Sequence, residues 1–334
     1  MRMHIVEYHA TRYTLAREER DMPVNQQPQD PRHQVVPMTG LTGQNINGLY
    51  TLGPQVGRGG MATIYSASMN TTGKEVAIKF PHLVEEDAGE KGNLRFLQEI
   101  QITHKLPPKN PHLVQFLGAG ITRINGVRFP YLVLEFLRGN ALHRVLRSTA
   151  SSEMSVSVAT LLAHQLARAL AACHDAHIVH RDVREENIFL AETGHGIQLV
   201  LMDFGISYEI GSARLTPPGI RVGATESMAP EQKTCDATGQ GQRGDPSADI
   251  YQLGLILHRL LQHRQDTSLA LFQFMQSCLK GNPSERPTAI QAIDKLGELL
   301  SPSCQLPEAF CGKLTFPMSE DSHREKPTPL ASEG

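Results

Sequence analysis

The sequence predicts an α+β chain with a small β-rich lobe followed by a larger helical one, on three observations. Its hydrophobic period changes once: short strand-like runs alternate with turns from about Leu49 to Phe136, and after Gly139 the pattern is mostly helical. Hydrophobic residues make up 40% and charged residues 20% of 334, enough for a sizeable core and too apolar for a mostly disordered chain. Stretches rich in Pro, Gln, Ser and Glu fence this region off at both ends.

Taken in order, residues 1–45 read as a flexible tail, 46–136 as the small lobe, 137–300 as the large lobe and 301–334 as a second flexible tail. YTLG, TIYSA, EVAIKF and GVRFPYLVLEF carry strand composition, with TTGK and ING as turns. One helix interrupts them, from an Asn93 cap to Leu106, stopped by Pro107-Pro108. In the second lobe 158–175, 248–262, 268–280 and 287–300 have helical spacing, and IFL and QLVLM are short apolar runs joined by ETGHG. No internal repeat is visible.

Lys plus Arg number 32 against 34 Asp plus Glu, so no net basic field holds a nucleic-acid backbone, and no nucleic-acid partner is expected. Cys173, Cys235, Cys278, Cys304 and Cys311 are scattered and form no CxxC pair, which points to free thiols in a reducing, cytoplasmic setting. The N-terminus is too polar for a signal peptide, and the apolar runs are broken too often to give a membrane span.

Four constellations carry chemistry. Gly57-Arg58-Gly59-Gly60-Met61-Ala62-Thr63-Ile64-Tyr65 places three glycines between two strand-like runs, where bare backbone N–H groups can approach an anion. A strand rather than a helix follows it, which argues against a Walker-type loop. In Val76-Ala77-Ile78-Lys79 the alternation puts Val76, Ile78 and Phe80 on one face and Ala77 with Lys79 on the other. An inward Lys79 needs a carboxylate: Glu99 is the first candidate, against a surface pair of Glu99 with Arg95, and Glu90 the second, since Gly89 and Gly92 interrupt the helix there. His180-Arg181-Asp182-Val183-Arg184-Glu185-Glu186-Asn187 and Asp203-Phe204-Gly205 each follow an apolar run. Together they offer hard oxygen ligands for Mg²⁺ and one carboxylate to accept a proton.

In that order and spacing, from Gly57 to Arg286, the chain resembles the eukaryotic-like (Hanks-type) serine/threonine protein kinases of bacteria. The resemblance extends to Ala229-Pro230-Glu231 at the end of the activation segment, to Asp249 as the buried brace of the catalytic loop, and to Arg286 as the partner of Glu231. It implies a two-lobed protein-kinase fold and ATP- and Mg²⁺-dependent phosphorylation of Ser or Thr on protein substrates, the chain itself included. Adenine would meet the backbone at Glu135 to Leu137. The Gly57–Ala62 loop, with Ile64 and Ala77, would cover the nucleotide, and Lys79, oriented by Glu99, would hold its phosphates. Asn187 and Asp203 would bind Mg²⁺, and Asp182 would accept the hydroxyl proton. Arg181 implies control by a phosphate on the activation segment, with Ser212 or Thr216 as carrier, and relatives that pair through the small lobe imply a homodimer.

Three departures matter. Ala62 replaces the third loop glycine, Arg184 stands where a lysine is usual, and Gly223-Ala224-Thr225-Glu226-Ser227 displaces the usual threonine by one and lacks the tyrosine. Tyrosine or dual specificity therefore stays open, and so does a non-catalytic pseudokinase, against which the presence of Lys79, Asp182, Asn187 and Asp203 counts. The cluster Cys173, His174, His177 and His180 resembles a metal site, but no second ligand cluster with zinc spacing follows.

Overall fold

A computed structural model of the chain describes residues 39–82, 86–148, 153–194, 196–210, 227–233, 244–301 and 303–311, without the side chains of 86–93. The small lobe is a six-stranded antiparallel sheet in the order β1-β2-β3-β4-β6-β5. Its strands are β1 (Asn45–Ile46), β2 (Tyr50–Arg58), β3 (Ala62–Met69), β4 (Glu75–Pro81), β5 (Phe116–Ile124) and β6 (Val127–Glu135). Asn125 and Gly126 both take positive φ, the geometry that lets a two-residue turn follow strand twist between β5 and β6. Val76, Ile78 and Phe80 are fully buried with Tyr65, Phe129 and Tyr131 on one sheet face, as the alternation predicts.

Helix α1 (Glu86–Lys105) lays Phe96, Leu97 and Ile100 against Leu132 of β6. It begins at Glu86 rather than at Asn93 and passes through Gly89 and Gly92, which lower helix propensity by about 1 kcal/mol each without ending the helix. Strand β5 is absent from the sequence reading. Its glycines and half-buried pattern hide it, and it is defined by its pairing with β6.

The large lobe is built on α3 (Val156–Asp175), which follows the short β7 (Gly139–Ala141) and α2 (Leu142–Arg147). Ser155 caps α3 by accepting from the Val158 N–H, and the Ala/Leu face is buried against α5 (Ser247–Leu261) and α7 (Ala289–Glu298). By length and composition α3 could cross a membrane; here it is the core helix of the lobe. β8 (Ile178–Val179) pairs with β11 (Tyr208–Glu209), while β9 (Ile188–Thr193) lies between β7 and β10 (Gly196–Leu201). The short α4 (Pro230–Lys233) and α6 (Leu269–Cys278) complete the lobe.

The lobes are joined at two places. The chain itself passes from one to the other at Phe136–Arg138, between β6 and β7. At the second, the segment from α1 to β5 is stitched to β10 by hydrogen bonds alone: Val114 N–H donates to Leu201 O at 3.2 Å, Leu201 N–H donates to His112 O at 2.9 Å, and the His112 ring bonds Leu199 O at 3.0 Å.

The second tail needs correction over its described part. Residues 303–311 dock on the large lobe: Phe310 is fully buried, Asn140 Nδ2 donates to the carbonyls of Phe310 and Cys311 at 3.0 and 2.9 Å, and Cys311 Sγ reaches Leu190 O. Leu41 is likewise buried in the small-lobe core, so the first tail's last residues belong to that lobe. Ser212, Thr216 and the segment around Thr225 lie outside the described residues.

Candidate active site

Lys79 reaches from β4 into the space between the lobes. Its Nζ donates to Glu99 Oε1 at 2.6 Å and to Asp203 Oδ1 at 3.0 Å. Glu99 is buried with Lys79, so the surface pair with Arg95 is not what forms. Burial alone would lower the Lys79 pKa, but Asp203 and Glu99 outweigh it and hold the ammonium charged. Asp203 is held below the usual carboxylate range by the Lys79 charge, against its own desolvation. Glu99 is pushed up to about 6 by burial, with Lys79 pulling the other way.

The catalytic-loop residues sit on a second frame. Asp249 on α5 is fully buried and accepts from His180 N–H at 2.9 Å, Arg181 N–H at 2.7 Å and His174 Nε2 at 2.9 Å. Burial alone would raise its pKa, and these donors hold it below the usual range instead. Arg181 takes a left-handed φ of 71°, and its guanidinium lies over the Tyr208 ring at 5.9 Å. His180 meets the buried Phe204 edge-on at 4.8 Å and its Nε2 bonds Met202 O, tying the loop to the Asp203-Phe204-Gly205 turn. Asp203 itself has φ 62°, and Gly205 N–H donates back to its Oδ1 at 3.2 Å.

Between the two frames, Asn187 Nδ2 donates to both the backbone O and Oδ2 of Asp182 at 2.9 Å. The amide donors are thereby committed, and the oxygen is what Asn187 has to offer a cation. Asp182 Oδ1 is buried with no hydrogen-bond partner among the described residues. Burial raises the Asp182 pKa, with His180, Arg184 and the Asn187 bond opposing. Arg184 Nε donates to Glu186 Oε2 at 2.7 Å, so its principal partner is that carboxylate rather than Asp182. Glu231 and Arg286 form a bidentate pair at 2.6 and 2.8 Å, with Arg286 over the Tyr251 ring at 4.9 Å.

The hairpin Gly57–Ala62 closes with Gly59 N–H donating to Ala62 O at 2.9 Å, and Arg58 and Met61 are exposed at its tip. Gly57 pairs with Ile64, and Ile64 pairs with Lys79 across β3 and β4, which places the loop on the strand that carries the lysine. Ala77 pairs with Leu134 at the adjoining edge of the cleft. At the hinge the Glu135 N–H is bonded to Gln115 O at 3.0 Å, and its carboxylate accepts from Gln115 N–H. The Glu135 N–H is therefore already committed, which leaves the Leu137 N–H, without a backbone partner among the described residues, as the one of the two to offer a ligand.

A family model described as the protein kinase domain matches residues 50–268. The chain belongs to the protein kinase family. A Streptomyces coelicolor protein named a probable serine/threonine-protein kinase is 31% identical over 231 residues, covering 66% of this chain and 31% of its own. Serine/threonine-protein kinase PknA of Mycobacterium tuberculosis is 32% identical over 221 residues, 66% of this chain and 48% of its own. The chain's match thus spans about a third to a half of the length of these curated relatives.

The structure adds residues the sequence reading missed. Gln252, three residues after Asp249 on α5, is fully buried. Its Oε1 accepts from Val183 N–H at 2.8 Å, and its Nε2 donates to Arg181 O and Ser227 O. Gln232 Nε2 reaches the same Arg181 carbonyl at 3.3 Å. The i, i+3 spacing of Asp249 and Gln252 is the signal available for the first; nothing local points to the second. His174, read as part of a metal-like cluster, is instead the side-chain partner of Asp249, and no group of metal ligands forms among the described residues.

Proposed function

We propose that this kinase domain transfers the γ-phosphate of ATP to Ser and Thr hydroxyls of proteins, its own included, with Mg²⁺ as cofactor. One observation carries the reading: Lys79 is fixed between Glu99 and Asp203 while Asp182, bound to Asn187, keeps one buried carboxylate oxygen without a partner among the described residues. The ammonium is a fixed positive point for phosphate oxygens, and a buried acceptor oxygen suits an incoming hydroxyl donor.

The donor set fits the metal, since Asp203 and the Asn187 amide oxygen are hard ligands of the type Mg²⁺ takes. When bound, Mg²⁺ neutralises charge on the phosphates. The rest falls to the protein. The Gly57–Ala62 loop covers the nucleotide and Lys79 orients its phosphates. Asp182 receives the hydroxyl proton at Oδ1, and Asn187 holds Asp182 in place through Oδ2. Glu99 fixes the lysine. The names of the relatives support Ser/Thr as acceptors.

The test is incubation of the purified full chain with Mg²⁺ and γ-labelled ATP beside Asp203→Ala, followed by phosphoamino-acid analysis. Label on Ser or Thr that disappears in the variant is expected. Label on Tyr would redirect the acceptor class, and no label on itself or on a basic protein, despite ATP binding, would overturn the reading.

A further inference from the structure

His82 lies just past the end of β4, three residues beyond Lys79, and nothing in the motif set assigns it a role. Its ring is bonded on both sides: Nε2 to Thr63 Oγ1 at 2.8 Å and Nδ1 to Gly60 O at 3.3 Å. A neutral ring with its proton on Nδ1 satisfies both, donating to the Gly60 carbonyl and accepting from the Thr63 hydroxyl. Burial moves the ring's pKa down against the opposing pull of the Gly60 hydrogen bond, with the Arg58 charge adding to burial, so the neutral form is favoured. The His82 backbone N–H also donates to Met61 O at 2.8 Å. Thr63 is fully buried, and so is a fixed anchor, whereas Gly60 and Met61 are exposed at the loop tip.

We infer that His82 is a positioning residue: it latches the tip of the glycine-rich hairpin to the lysine-bearing strand and sets the height of that loop over bound ATP. The inference rests on the kinase reading above. A loop of three glycines has little conformational preference of its own, since glycine populates many backbone states at similar energy. An external tie that removes those states lowers the ordering cost of binding. The tie runs to the strand that carries Lys79, so the loop above the phosphates and the ammonium beside them move as one body. The latch touches no group that handles the proton or the metal. Its loss should therefore be felt in nucleotide affinity and not in the chemical step.

The test uses the full chain with His82→Ala, His82→Gln and Thr63→Val. Removing the ring, and with it the bond to the loop at Gly60 and the bond to its anchor Thr63, should raise the KM for ATP about tenfold while kcat at saturating ATP falls less than about twofold. Gln, which keeps a donor and an acceptor, should recover part of the affinity. Thr63→Val should cause a similar loss that does not add to that of His82→Ala. Hydrogen exchange on the nucleotide-free protein gives a readout that needs no catalysis: amides of residues 59–62 should exchange faster in His82→Ala, with the rest of β3 and β4 unchanged. Unchanged exchange, or a fall in kcat without a change in KM, would overturn the latch. A wild-type chain that binds no nucleotide would overturn the kinase reading, and with it this role of His82, even if the loop exchanges faster in the variant.

Discussion

Two charged assemblies meet at the cleft, one centred on an ammonium and one on a carboxylate, and they are built on opposite plans. Around Lys79, three side chains from β4, α1 and the turn after β10 meet by charge, and one of them, Asp203, is about half exposed. Around Asp249, a single buried carboxylate gathers two backbone N–H groups and the His174 ring, all from the large lobe. The first exists only when the small lobe and α1 are in place. The second needs no small lobe. Where a group must be invariant, the chain uses backbone donors on a buried anion; where it must assemble, it uses long side chains that can part.

The sharpest way to break this contrast is to remove each centre in turn. Asp249→Ala leaves buried His180 and Arg181 N–H groups without an acceptor and should cost about 3–5 kcal/mol in urea unfolding, with activity lost as a consequence. Lys79→Met should lower activity by about 10²–10³ with a smaller stability loss, because Glu99 can take up a proton once its partner is gone. Equal stability losses would show that the lobe-spanning cluster is as much a part of the core as Asp249.

The next effect is pH dependence. Glu99 moves from 4.5 to about 6 on folding, so the folded protein holds this proton more tightly than the unfolded chain does. Its contribution to stability is therefore full below about pH 4.5 and lost as the pH rises through about 6. Activity runs the other way, since the pair with Lys79 needs the carboxylate charged. The rate at limiting ATP should fall as the pH drops through about 6, and Glu99→Gln should be slower but lack that limb. A limb that persists in the variant would assign it to another group.

The smallest effect tests how far the lobe-spanning cluster extends. Lys105, at the end of α1, pairs with Glu209 on β11 at 2.5 Å, and both side chains are partly exposed. Lys105→Ala should change stability by less than about 1 kcal/mol in thermal unfolding. A larger loss would place this pair inside the cooperative unit that carries Glu99.

The strands β2, β3, β4 and β6 could be read from local alternation and the positions of Lys79, Asp182, Asn187 and Asp203 from short motifs, whereas Asp249 and Arg286 were marked only by the family resemblance. What was not legible depends on distant partners. Strand β5 carries Gly118 and Gly120, and Gly120 is there because the Tyr131 ring of β6 lies across its α-carbon. Residues 303–311 have loop composition, yet Asn140, some 170 positions away, holds their carbonyls. Gln232 and Gln252 look like ordinary surface amides until both are seen to converge on the Arg181 carbonyl. His82 follows a proline just past the end of β4, and no motif marks it.

The two joins between the lobes, one covalent and one hydrogen-bonded, have a mechanical consequence. A body hung at two points turns about the line through them, as a door turns on its pins. The pins here are the span Phe136–Arg138 and the stitch of His112 and Val114 to Leu201. Asp203 follows Leu201 by two residues, so it lies near one pin, where rotation moves it least. Spin labels at the exposed Leu49 and Leu269 should therefore report a spread of distances along a single arc, which ATP narrows from its open end.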